Sequence, residues 1–438
     1  MTKDITLEDL HRFQQDFDQR PDAAVVARAV QKNGVISTSE NYAAKRHLDP
    51  TFSVEVETGK VANQKKSGRC WLFATLNTLR HKFAEKYKMK DFQFSQNYLS
   101  FYDRLEKSNK FYEDVLATAD LPLDSREVQF LLKWGNGDGG QWANGPALIE
   151  KYGLVPQYVM PETLTSDKTA ELNPTLNLKL RKDAMTLRNL AADGADAAKL
   201  RETKMHFLNE IYRILVDVFG QPPVKFGFEY RDDEHNYHID RNLTPQSFYQ
   251  KYVDWNFDDY VCLTDAPDHE QGKLFGLPSQ DYIFNGKKIE FLTVDTQALK
   301  DATIKQLQAG ETAWLGCDVL NKIDRQKGIL DPDYFKEDEL FGVDLEMSKA
   351  DRLASGEGTC SHAMTFTGVD LVDGQPTKWK VENSWGEKVG KDGYFIMTDE
   401  WFDKYMYEVI INKKYLTEEQ RKLLDQQRVD LKPWDSLA

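Results

Sequence analysis

Gln64-Lys65-Lys66-Ser67-Gly68-Arg69-Cys70-Trp71 is the stretch on which the reading of this 438-residue chain turns. A polar loop, Asn63 to Arg69, gives way abruptly to Cys70-Trp71-Leu72-Phe73-Ala74, and Leu76 and Leu79 continue the apolar pattern at helical spacing. The pattern predicts a helix that starts at or near Cys70. A thiol placed there meets the partial positive charge of the helix terminus, which favours thiolate. Lys65, Lys66 and Arg69 are close enough in sequence to add to that field. The unpaired amides of a first helical turn suit a developing oxyanion, and Gln64 on the entering loop has a side-chain NH₂ to offer the same oxygen. A Cys-Trp pair at a helix start is more often plain buried structure, so the functional reading needs partners elsewhere in the chain.

Those partners lie near the carboxyl end. A thiolate nucleophile requires an imidazole that holds a proton and then delivers it to the leaving amine. His362 stands in Gly358-Thr359-Cys360-Ser361-His362-Ala363-Met364, at the predicted start of a strand with small neighbours. Val381-Glu382-Asn383-Ser384-Trp385-Gly386 follows on the next strand. Asn383 there is placed to accept a hydrogen bond from the His362 ring and fix its tautomer, and Trp385 is large enough to shield that bond from water. Each residue alone is a weak sign. The order Gln–Cys…His…Asn is a strong one.

These segments resemble the papain-like cysteine peptidases, and within them the bleomycin hydrolase and bacterial aminopeptidase C family. Asp138-Gly139-Gly140-Gln141-Trp142, Lys151-Tyr152-Gly153-Leu154-Val155-Pro156 and Met160-Pro161-Glu162-Thr163 extend the likeness across nearly the whole chain. The resemblance implies an α+β fold of papain type, with a helical half, a half built on an antiparallel β-sheet, and a large helical insertion. It implies Cys70, His362, Asn383 and Gln64 as catalytic residues, and Gly139, Gly140, Trp385 and Ala438 as substrate-binding ones. It also implies a homohexamer, and an intracellular enzyme that removes amino-terminal residues from short peptides. In the secreted relatives the position of Ser67 is a disulfide-forming cysteine; serine here fits a reducing compartment. The family's carboxyl tail runs back into its own cleft, where the terminal carboxylate anchors the substrate's ammonium. Lys432-Pro433-Trp434-Asp435-Ser436-Leu437-Ala438 reads about three residues short of the usual aminopeptidase tail, so oligopeptide endopeptidase action is the alternative expectation.

Composition bounds the remaining classes. A hydrophobic share of 40% with 24 Phe, 19 Tyr and 9 Trp suits a packed globular protein. A net charge of −14 without a basic run argues against nucleic-acid binding. Four cysteines are too few for a disulfide framework, and no apolar run reaches the length of a membrane span. A cytoplasmic location is the expectation. His235 and His238, and separately Asp331 and Asp333, have spacings compatible with metal but lack further ligands, so no metal and no cofactor are expected. Cys262 and Cys317 read as core, and Cys360 as a packed thiol.

Cys70 and His362 are 292 positions apart, whereas a minimal papain-like chain places them roughly 130–150 apart. A long insertion must separate them. The expected organisation is an amino-terminal helical extension (1–50), a helical half with the nucleophile (51–160), a helical insertion for oligomerisation (161–285), a β half with His and Asn (286–415), and a tail reaching the active site (416–438). Residues 5–33 read as one helix with Leu7, Leu10, Phe13 and Phe17 on its apolar face. Residues 50–58 read as a strand.

Overall fold

A computed structural model describes residues 4–253 and 255–438. The helix Cys70–Tyr87 is its organising element, buried on nearly every side from Trp71 to Arg80. That burial follows from composition, since the segment is apolar or small all round rather than along one stripe. Its Thr75 and Thr78 hydroxyls are satisfied within the helix, donating to the carbonyls of Trp71 and Ala74. On one side pack the helices Gln96–Ala117 and Asn144–Tyr152. There Gly145 admits Thr75, because a Cβ on the glycine would lie 2.7 Å from the threonine methyl. On the other side lies a twelve-stranded sheet.

In chain order the strands are β1 (Val54–Glu55), β2 (Phe226–Arg231), β3 (Tyr237–Leu243), β4 (Tyr260–Thr264), β5 (Leu274–Gly276), β6 (Glu290–Thr293) and β7 (Ala313–Cys317). Then come β8 (Ile323–Asp324), β9 (Ile329–Leu330), β10 (His362–Val372), β11 (Gln375–Glu382), β12 (Tyr394–Thr398), β13 (Met406–Asn412) and β14 (Val429–Asp430). The sheet runs β14-β5-β6-β4-β13-β7-β10-β11-β12-β9-β8, with β1 also paired to β10. Its centre is antiparallel, with His362 opposite Cys317 and Thr365 opposite Glu382. One apolar core fills the helical side, and a second lies around Trp379, Trp401 and Phe402.

Several expectations are corrected. The sheet is mixed rather than antiparallel throughout, since β4–β6, β5–β14 and β9–β12 are parallel pairs. Residues 5–33 form two helices, Leu7–Gln19 and Ala23–Asn33, parted next to Pro21, which has no N–H for a helical bond. The apolar residues of the first helix are exposed, Leu7 at 85% and Phe13 at 50%. The strand read at 50–58 shrinks to Val54–Glu55. The segment 161–285 is not helical throughout: after helices Leu172–Ala192 and Ala197–Phe219 come the β2–β3 hairpin and two strands of the main sheet. Phe226, Phe228 and Tyr230 alternate at period two along β2, as a strand requires.

The helix and the sheet are joined by buried charge. Arg80 donates to Glu382 at 2.6 Å, and His81 Nε2 lies 3.0 Å from the other carboxylate oxygen. Burial alone would raise the Glu382 pKa, but Arg80 and His81 hold it below the usual range. Burial lowers the His81 pKa against the opposing pull of Glu382. Both groups bind protons less readily folded than unfolded, so both contribute stability that is lost as pH falls. Stability should therefore decline on acidification, first through the ordinary histidine range near 6.5 and further below about 4.5. Glu382→Ala leaves Arg80 buried and unpaired and should cost about 3–5 kcal/mol; urea unfolding across pH checks both expectations.

Candidate active site

The Cys70 helix begins without a side-chain cap: Arg69 occupies the cap position and makes no capping bond. The Leu72 N–H donates to the Arg69 carbonyl, and the Cys70 and Trp71 amides face the thiol. Burial pushes the half-buried Cys70 thiol up, while the backbone amides of Ala363, Trp71 and Cys70 itself favour its thiolate. Arg69 does not add to this field as its sequence position led us to expect. Its buried side chain turns away to meet Glu162 through two bonds of 3.2 and 2.9 Å, and also reaches Ser100 and the Ser166 carbonyl. A guanidinium has five donors, and this pocket offers them acceptors that the thiol cannot match.

Asn383 is fully buried, and its Oδ1 receives two contacts, 2.7 Å from the Ser384 N–H and 2.9 Å from His362 Nε2. A backbone N–H can only donate, so the amide oxygen must face both groups, and Nε2 of His362 must carry the proton it gives. The neutral ring then has Nδ1 as its unprotonated nitrogen. Burial lowers the His362 pKa to about 4; the Asn383 bond opposes that shift and the Arg325 charge adds to it. The Trp385 ring lies 4.9 Å from the His362 ring, with the Arg325 guanidinium 3.9 Å from the indole. Trp385 thus covers the His362–Asn383 pair.

Gln64 is tied to the same strand end. Its Oε1 accepts from the Ser384 hydroxyl at 2.5 Å, and its Nε2 donates to the Ser67 carbonyl at 2.6 Å. That leaves one amide hydrogen uncommitted. The backbone closes the same seam: Gln64 N–H donates to the Ser384 carbonyl, Asn63 bridges Trp385, and Gly386 N–H donates to the Ala62 carbonyl. Gly386 has φ +77°, and a Cβ there would lie 2.4 Å from the Asn63 amide nitrogen. Only glycine meets both demands.

Cys70, His362, Gly139, Gly140 and Ala438 all wall one cavity of about 840 Å³. Gln64, Asn383 and Trp385 do not. The two glycines differ in what they make possible. A Cβ on Gly140 would lie 2.6 Å from the Trp71 ring, so packing within the protein requires that glycine; Gly139 faces open space, where a peptide backbone can approach. Leu437 is buried in the helical-side core, and Leu431, Lys432 and Pro433 also border the cavity. Cys360 lies on the wall as well, its thiol pushed well up by burial and by Glu408.

Three further residues hold the site together and have no local sequence signature. Ser384 orients Gln64. Asp138 accepts from the Gly68 N–H at 2.9 Å and from the Trp71 indole through its carbonyl at 2.8 Å, and pairs with Arg104 at 3.0 Å. Glu162 fixes Arg69. All three occur in the stretches that carried the likeness, but only the folded chain shows what they touch.

Comparison with known proteins agrees with this fold. The Peptidase C1-like family matches residues 4–438. Aminopeptidase E of Lactobacillus helveticus is 49% identical, and Aminopeptidase G of Lactobacillus delbrueckii subsp. lactis 50% identical, each over the full length of both chains. The crystal structure of PepW from Lactobacillus rhamnosis HN001 is 53% identical and superposes with a TM-score of 0.98, covering 100% of this chain and 99% of that one. The helical half packed on a sheet is the papain-like arrangement. Matched over all but its first three residues, the chain belongs to the Peptidase C1-like family.

Proposed function

We propose that the chain is a cysteine aminopeptidase that hydrolyses short peptides through an acyl-enzyme. The observation that carries the reading is the doubly bonded Asn383 oxygen, because it fixes the His362 tautomer beside the Cys70 helix terminus. In this reading His362 Nδ1 takes the Cys70 proton, and the sulfur attacks the scissile carbonyl. The Cys70 N–H and the uncommitted Gln64 amide hydrogen receive the oxyanion. The His362 ring then protonates the departing amine, and afterwards draws a proton from water as the acyl-enzyme breaks. Trp385 keeps water off the His362–Asn383 bond, and Gly139 offers its backbone to the substrate.

Removal of amino-terminal residues is supported by the relatives named aminopeptidases and by the segment 431–438, which puts Ala438 on the same cavity wall as Cys70. The cavity volume also leaves room for several residues, so internal cleavage of oligopeptides is the competing reading. The carried-over homohexamer and cytoplasmic location remain part of the proposal. The exposed apolar face of the Leu7–Gln19 helix, with Leu10 and Phe17 half-exposed, supports assembly.

Cys70→Ala should abolish peptide hydrolysis with an unchanged melting temperature; residual turnover at the wild-type rate sinks the nucleophile assignment. Gln64→Ala should lower kcat by about 10²–10³ if its amide serves the oxyanion, an effect read from steady-state kinetics. Matched peptides with free and acetylated amino termini separate the two readings, since efficient internal cleavage of the acetylated peptide rejects the aminopeptidase. Light scattering should give six times the 50.6 kDa chain mass, and a monomer contradicts the hexamer.

A further inference from the structure

Residues 265–273 join β4 to β5, and β5 is the strand on which the last stretch of the chain lies. β14 pairs in parallel with β5, and the Leu431 N–H donates to the Gly276 carbonyl. Beyond this pairing, His269 from the joining loop stands between two carboxylates. Its Nδ1 is 2.9 Å from Asp268, and its Nε2 is 3.0 Å from Asp435.

We propose that His269, gripped between Asp268 and Asp435, is a positioning residue that fixes Trp434–Ala438 as the closed end of the substrate cleft. It thereby sets how many residues of a peptide fit ahead of Cys70. The proposal rests on the aminopeptidase reading, because only a blocked cleft end confines cleavage to the first residue.

A neutral imidazole has one N–H, so it can donate to one carboxylate and must oppose the other. A protonated ring donates to both. The Asp268 bond, then the Asp435 bond, raise the His269 pKa to about 9, so the cation persists across the neutral range. Asp435 passes this constraint to the residues after it. Its Oδ1 accepts from the Leu437 N–H at 3.1 Å, and its carbonyl accepts from the Ala438 N–H at 3.0 Å. The Ser436 hydroxyl donates back to Asp268 at 2.6 Å. Trp434 is held from the helix Arg126–Trp134, with the Arg126 guanidinium 4.0 Å from its ring and Phe130 edge-on at 5.9 Å. The Phe275 ring packs against His269 at 5.2 Å, and nearby Arg428 is committed to Asp281 and Asp430. Within this segment, one imidazolium thus organises both backbone amides that close the final turn. Substituting His269 frees the turn without touching Cys70, His362, Gln64 or Asn383.

The test compares wild type with His269→Ala and, separately, Asp435→Asn, with melting temperatures recorded for each. Substrates are one oligopeptide with a free amino terminus and the same peptide acetylated. The wild type should prefer the free terminus. Both variants should lose that preference by about ten-fold or more, the size of a lost charge-assisted contact, through KM rather than kcat. Amide hydrogen exchange across 431–438 should accelerate in both variants, and His269→Lys, which keeps a cation, should recover part of each effect. Unchanged preference and unchanged exchange in a variant with native melting temperature overturn the inference while leaving the aminopeptidase reading intact. If the wild type is itself indifferent to acetylation, the aminopeptidase reading falls. The clamp is then judged on exchange and on KM for the oligopeptide, and no change in either overturns it.

Discussion

The short backbone seam between Ala62–Gln64 and Ser384–Gly386 is the constraint on which the rest of the site depends. It joins residues 320 positions apart, and it ties Gln64 to the Asn383–His362 pair in one step. Ser384 is the hinge of this arrangement: its hydroxyl holds Gln64, its N–H holds Asn383, and its carbonyl receives the Gln64 N–H. Asn383 then has one orientation, and His362 has one neutral tautomer. Electrostatic groups aimed at developing charge are useful only if they need no reorganisation when it appears. Here the cost of fixing them is met by folding.

Two kinds of burial support the seam. The Cys70 helix is enclosed by helices and sheet, so its first turn cannot tilt without breaking core contacts. Arg80, His81 and Glu382 add a charged tie at the residue just before Asn383. Asp138 and Glu162 do the same for the loop entering the helix: Asp138 holds the Gly68 N–H, and Glu162 turns the Arg69 side chain away from the thiol. The positive potential at the sulfur therefore comes from backbone amides rather than from cationic side chains. Amides are fixed by the helix, whereas long cationic side chains follow their best acceptors.

Much of this was legible in the sequence. The break from polar loop to apolar helix placed Cys70, and the small residues around His362 and the strand before Asn383 placed the others. Ser384, Asp138 and Glu162 have no role legible in the sequence, because their partners lie tens to hundreds of residues away and no local pattern encodes such distances. The Leu7, Leu10, Phe13 and Phe17 spacing indicated a helix but not that its face is exposed in the single chain. Pro21 and the period-two spacing of Phe226, Phe228 and Tyr230 are the signals that point to the helix break and to the strand. Gly140 was read as a concession to substrate, yet the Trp71 ring requires it.

In the proposed mechanism one thiol, activated by its helix terminus and by His362, carries the chemistry. Cys360 lines the same cavity and offers an internal control. Timed alkylation with iodoacetamide, read by peptide mass spectrometry alongside residual activity, distinguishes the two thiols. Cys70 should react first, and activity should fall in proportion to its modification. Activity that survives complete modification of Cys70, or that instead follows modification of Cys360, would contradict that mechanism.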